Sequence, residues 1–184
     1  MYLEQLNLTY LINEDRILLK IGIFAKNKET DSNEKQEIQL FITRRMLERL
    51  WPVLMESISS HMRINRPEAA FASEELVNME HEQAIGKIKE EGNFSRAYDS
   101  DNRKSLHGER PLLIESIKFH LKANAPFWMQ FIVHPNQTID LKLETRLLHG
   151  FCKLLIDAEK ISEWNLDLSL PKADEMSIPA HLLN

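Results

Sequence analysis

The chain of 184 residues has one cysteine, Cys152, so no internal disulfide can form and stability must come from packing. Its five glycines, at 22, 86, 92, 108 and 150, never cluster into a phosphate-cradling loop, which excludes nucleotide binding of the P-loop and Rossmann kinds. No apolar run approaches the ~18 residues a membrane helix requires. The amino terminus, Met1-Tyr2-Leu3-Glu4-Gln5, lacks a basic region ahead of an apolar stretch, so the expected location is cytoplasmic. Positive charge is in deficit, with 23 Lys and Arg against 28 Asp and Glu and a net charge of −5. That balance argues against nucleic acid as a general partner, because the long-range electrostatic contribution would be repulsive. Catalytic signatures are missing too. No serine sits in a nucleophile elbow, and the histidines at 61, 81, 107, 120, 134, 149 and 181 lack metal-ligand spacing such as HExxH. No cofactor and no metal is implied.

Apolar periodicity is plentiful. Leu6, Leu8 and Tyr10, then Ile17, Leu19, Ile21 and Ile23, then Ile38, Leu40 and Ile42 recur at a spacing of two, which predicts three strands with one buried face each. Asn13-Glu14-Asp15 supplies the first turn, and the polar stretch 26–35 predicts a longer loop. Thr43 can cap a following helix with Met46, Leu47, Leu50, Val53 and Leu54 on its apolar stripe, and Pro52 predicts a bend or a restart there. Ser73 predicts the cap of an acidic helix, and the polar stretch 93–111, with only Phe94 and Tyr98 as aromatics, reads as an exposed connector.

Residues 38–54 align without a gap on 139–155, an offset of 101. Ile38, Leu40, Arg45, Leu47 and Leu54 face identical residues at Ile139, Leu141, Arg146, Leu148 and Leu155. Residues 112–122 and 127–133 read as two strands ahead of the second copy, joined through Asn124-Ala125-Pro126. The expectation is a single α+β domain of two pseudo-symmetric strand-strand-strand-helix units, antiparallel sheet covered by helices. Its parts are a first repeat at 1–66, a linking helix and loop at 67–111, a second repeat at 112–171 and a tail at 172–184.

The densest chemistry is the run Thr43-Arg44-Arg45-Met46-Leu47-Glu48-Arg49-Leu50-Trp51-Pro52, in which Arg44, Arg45 and Arg49 fall opposite the apolar stripe. They are the candidate partner-binding residues, set either to grip an acidic protein or to be satisfied by the acidic helix of the same chain. Trp51 and Cys152 take matching places in the two helices, and both are expected in the core. Glu115, His120, His134 and Arg146 are the candidate polar groups of a pocket between the repeats, His120 and His134 because their strands would pair. The run from the third strand through Ile42-Thr43-Arg44-Arg45 to Leu50-Trp51-Pro52 resembles that of small uncharacterised bacterial proteins. The resemblance implies a bacterial cytoplasmic protein and brings neither an activity nor a site residue. The functional expectation is a noncatalytic interaction module with a protein partner, self-associating through free strand edges. The alternative is a small-molecule-binding protein or enzyme with its pocket between the repeats.

Overall fold

The computed structural model describes residues 2–26, 33–91, 98–99, 103–108, 110–134 and 137–170. Chain order is β1 (Tyr2–Leu11), β2 (Arg16–Lys26), β3 (Asn33–Thr43), α1 (Arg44–Asn65), a 3-10 segment (Pro67–Ala72), α2 (Ser73–Glu90), β4 (Lys104–Ser105), β5 (Leu112–His120), β6 (Phe127–Val133), β7 (Gln137–Leu143) and α3 (Thr145–Ser162). The fold is mixed α+β, with seven strands in one sheet of order β1-β2-β3-β5-β6-β7 and β4 also paired to β3.

Each run of three long strands is an antiparallel meander whose side chains alternate between the two faces. The two meanders meet edge to edge where β3 and β5 pair in parallel, Leu40 opposite Leu112 and Phe41 opposite Leu113. Apolar side chains converge on the helix-covered face. Ile17, Leu19, Ile38, Leu40, Ile42, Met129, Phe131, Ile139, Leu141 and Leu143 are buried in one core with Leu47, Leu50, Leu54, Leu148, Phe151 and Leu155 of α1 and α3. The helices cross over between the meanders: α1 packs on β5 as well as β3, and α3 packs on β1 more extensively than on β7.

The hydroxyl of Thr43 accepts the Met46 backbone N–H at 3.2 Å and caps α1. The helix does not restart at Pro52 but runs on to Asn65. Both Pro52 and Glu48, whose carbonyl loses its helical donor, are exposed, so water can satisfy that carbonyl. The stripe is rotated from the expected one: Val53 is 54% exposed, while Trp51, Met55, Ile58 and Met62 are buried. A tryptophan and two methionines offer more apolar area than one valine, so the helix turns toward them. Ser73 is not the cap of α2, because the 3-10 segment leads straight into the helix and Ala72 takes that position.

Of the loop expected over 26–35, residues 27–32 lie outside the described residues, and the flanks extend β2 and β3. Phe94 and the tail at 172–184 also lie outside them. The exposed connector is corrected where it can be seen. Lys104 and Ser105 pair with Gln36 and Glu37, and the Arg103 side chain is 1% exposed. Its guanidinium lies flat against Gly22, donates to Glu4 at 2.8 Å and stacks over Tyr98 at 5.0 Å. Tyr98, half-buried, has its phenol pushed well above the usual value by burial and by the Glu37 carboxylate. A polar sequence thus covers the open face of the first meander because Arg103 pairs with Glu4 and stacks on Tyr98 there.

Candidate interaction surface

Arg44, Arg45 and Arg49 project from the first two turns of α1 on the side away from the core, and all three are exposed. Among the described residues no ion pair engages any of them. The basic residues at the far end are engaged: Arg63 pairs with Glu56 at 2.7 Å and Arg66, which caps the helix, with Glu80 of α2 at 3.0 Å. The acidic helix α2 therefore satisfies the carboxyl-terminal end of α1 and leaves the amino-terminal end open. Trp51, by contrast, is core: it is 6% exposed and its indole N–H donates to the Ser169 carbonyl at 2.8 Å. Three arginines, Pro52 and the exposed Val53 remain as the surface.

The electrostatics of this end are unfavourable for the isolated helix. The first turn of α1 contains no acidic residue, and Arg44 and Arg45 stand where unpaired N–H groups already concentrate positive charge. The first turn of α3 is similar, with Arg146 and no acidic residue, but Nη1 of Arg146 donates to both carboxylate oxygens of Glu91 at 2.8 Å. Glu91 directly follows α2, which lies along the outer face of α3. Ile88 approaches Gly150 so closely that a Cβ there would stand 3.2 Å from its Cδ1, and the rings of His81 and His149 meet edge to face at 5.4 Å.

The four residues expected to share a pocket are brought together only in part. Glu115 and His134 approach to 3.3 Å, both exposed, at one end of the β5–β6 pair. His120 lies at the other end, opposite and stacked on Trp128 at 4.2 Å, since the antiparallel register that joins these strands also separates their two histidines. Arg146 is on α3 beside a groove of about 340 Å³ between that helix and β1.

A cleft the sequence reading missed, about 250 Å³, opens between α1, α2, the β5–β6 turn and the start of α3. His61, Arg66, Glu80, Thr145 and His149 line it. His61 Nε2 meets the Ala125 carbonyl at 3.0 Å and Asn65 accepts the Asn124 N–H at 2.7 Å, so α1 clamps the turn that walls the cleft. His149 is 1% exposed, with Nε2 3.8 Å from Glu80 and Nδ1 without a hydrogen-bond partner among the described residues. Its neighbour His81 is held down at about 4, first by burial and then by His149 and Lys153. The only sequence signal for this cleft was polar residues on otherwise apolar helix faces, and which faces meet is a tertiary fact.

Cys152 is fully buried, and burial pushes its thiol up to about 12. Among the described residues no group of His, Cys, Asp and Glu converges to hold a metal ion, and no helix is long and apolar enough to cross a membrane. Comparison with family models, with curated proteins and with solved structures returns no match.

Proposed function

We propose that the chain is a noncatalytic cytoplasmic interaction module, an adaptor, regulator or assembly factor, that presents the amino-terminal half of α1 to a protein partner. The observation that carries the reading is that Arg44, Arg45 and Arg49 are exposed and in no ion pair among the described residues, beside exposed Pro52 and Val53. Arginine in the first turn opposes the helix dipole at a cost of roughly 0.3–1 kcal/mol; Arg44 feels the Asp15 carboxylate, but among the described residues no ion pair engages Arg45, which favours an external carboxylate.

The two meanders and their helices are read here as copies of one unit. Supporting this, Ile38, Leu40, Ile42, Leu47, Leu50, Trp51 and Leu54 are buried, and so are their counterparts 101 residues on. On this reading Arg45 corresponds to Arg146, and the face of α3 that α2 covers corresponds to a bare face of α1.

The test is capture of the tagged chain from nuclease-treated host lysate, beside an Arg44→Glu/Arg45→Glu/Arg49→Glu variant. The expected result is a stoichiometric protein that the wild type recovers and the variant loses, with no fall in the variant's melting temperature. Recovery of the same proteins by both would end this reading.

A second reading, a small-molecule site, is favoured by His149, whose buried Nδ1 has no hydrogen-bond partner among the described residues at the wall of the 250 Å³ cleft. A metabolite that raises the melting temperature of the wild type but not of His149→Phe would support it over the first.

A further inference from the structure

Helix α2 shows within one chain what the outer face of a repeat helix accepts. Along α3 it meets Arg146 through Glu91, His149 through Glu80 and His81, and Gly150 through Ile88. Lys153, half-buried, stands one turn further along the same face. Shifted by 101 residues, those four positions of α3 are Arg45, Glu48, Arg49 and Pro52 of α1. All four are exposed, as is Val53 beside them. Thus, among the described residues, the positions that α2 faces on one helix are exposed at their counterparts on the other.

The occupant of the first case is acidic and amphipathic. Residues 73–91 contain six glutamates and two lysines, a net charge of −4, and bury Val77, His81, Ala84, Ile85 and Ile88 on one side. The open face of α1 carries a complementary charge, with Arg44, Arg45 and Arg49 against Glu48. It differs in one respect. Arg49 stands where α3 has Gly150, so a second helix cannot approach α1 as closely as Ile88 approaches Gly150. Charge must therefore hold it more than close packing does, with Val53 and Pro52 as the apolar floor.

We infer that the partner of α1 is an acidic amphipathic helix of another protein, laid along Arg45, Arg49, Pro52 and Val53 with a carboxylate on Arg45 as Glu91 sits on Arg146. This rests on the proposed interaction role and specifies its partner. Association led by surface charge should be fast and steeply weakened by salt.

The experiment places a photo-crosslinking amino acid at Val53 of the full chain in its host, with a second placement at Ile64, exposed near the far end of α1, as a positional control. Crosslinked peptides are sequenced. The expected product at Val53 is a peptide of net negative charge with apolar residues three and four apart. Its yield should fall about tenfold when Arg45→Glu and Arg49→Glu are introduced, and it should be absent from the Ile64 sample. A protein crosslinked at Val53 through a basic or non-helical segment would overturn the inference while leaving the interaction role standing. Crosslinks only to a second copy of the chain, only to nucleic acid, or to nothing would overturn both.

Discussion

His81 and Arg103 have each been placed by tertiary structure in surroundings that their sequence neighbours do not suggest. His81 ionises in the folded protein near 4, against 6.5 for the free side chain, because burial and two nearby basic side chains disfavour its charge. The unfolded chain therefore takes up this proton first on acidification. The contribution is fully present above about pH 6.5 and is lost as pH falls toward 4. Denaturant titrations at about pH 7.5 and about pH 4.5 should show the wild type losing roughly 2–3 kcal/mol more than His81→Gln. Equal losses would mean that His81 is neutral in neither state or reaches water when folded. Arg103 makes a prediction of changing sign. A Cβ on Gly22 would stand 2.7 Å from its Nη1, so Gly22→Ala must push the guanidinium off Glu4 and should cost roughly 1–3 kcal/mol. In an Arg103→Ala background the same change should stabilise by about 0.5 kcal/mol, since alanine suits a strand better than glycine. Additive effects in that double-mutant cycle would show that the guanidinium does not rest on Gly22. Neither prediction could be drawn from sequence. Periodicity put His81 on an apolar face but named no neighbours, and nothing local couples Gly22 to a residue 81 positions later.

Helices and strands were more legible, because their signals are local. Among the described residues, alternation located six of the seven strands and a 3.6-residue rhythm located all three α-helices, with the Thr43 cap of α1 in place. The two-residue strand β4 carries too little pattern to be read, and it exists because β3 offers an edge there. The misplacement of Val53 has a similar cause: a helical wheel shows which residues cluster, but the partner surface decides where the buried arc is centred. At the candidate site the residue types and the solvent-facing side were readable. That α2 would engage Arg66 and leave Arg44, Arg45 and Arg49 open was not, since it depends on where one helix ends against another. This geometry sets α1 against its own stability. Arg45→Glu should raise the unfolding free energy by about 0.5 kcal/mol through the helix dipole while weakening partner capture. Thermal denaturation reads the first effect, and a decrease in stability would show that Arg45 has an internal partner.

At the scale of the molecule, the crossing of α1 beneath β5 and of α3 beneath β1 binds the two meanders more firmly than the short parallel seam between β3 and β5. Trp164, beyond α3, adds to this. Its indole N–H donates to Asp15 at 2.7 Å and its ring meets Tyr10 edge-on at 5.8 Å, tying the end of the second meander's helix to the first hairpin. Asp15 sits in a left-handed conformation there, its carboxyl kept below the usual range by the bonds from Trp164 and Tyr10. Unfolding should then be a single transition. Leu50→Ala in one helix and Phe151→Ala in the other should each remove about 3 kcal/mol and move far- and near-ultraviolet circular dichroism together. Separate transitions for the two signals would mean that the meanders fold independently. The alignment of residues 38–54 on 139–155 suggested two units but was silent on their joint, because neither a parallel seam nor a helix crossover leaves a local pattern. The buried Cys152 is set at this same joint, on α3 within the shared core. A thiol reagent offered to the native protein finds no other target in the chain and reaches this one only when the core opens. The rate of labelling is thus an intrinsic clock for whole-molecule opening, available without introducing a probe.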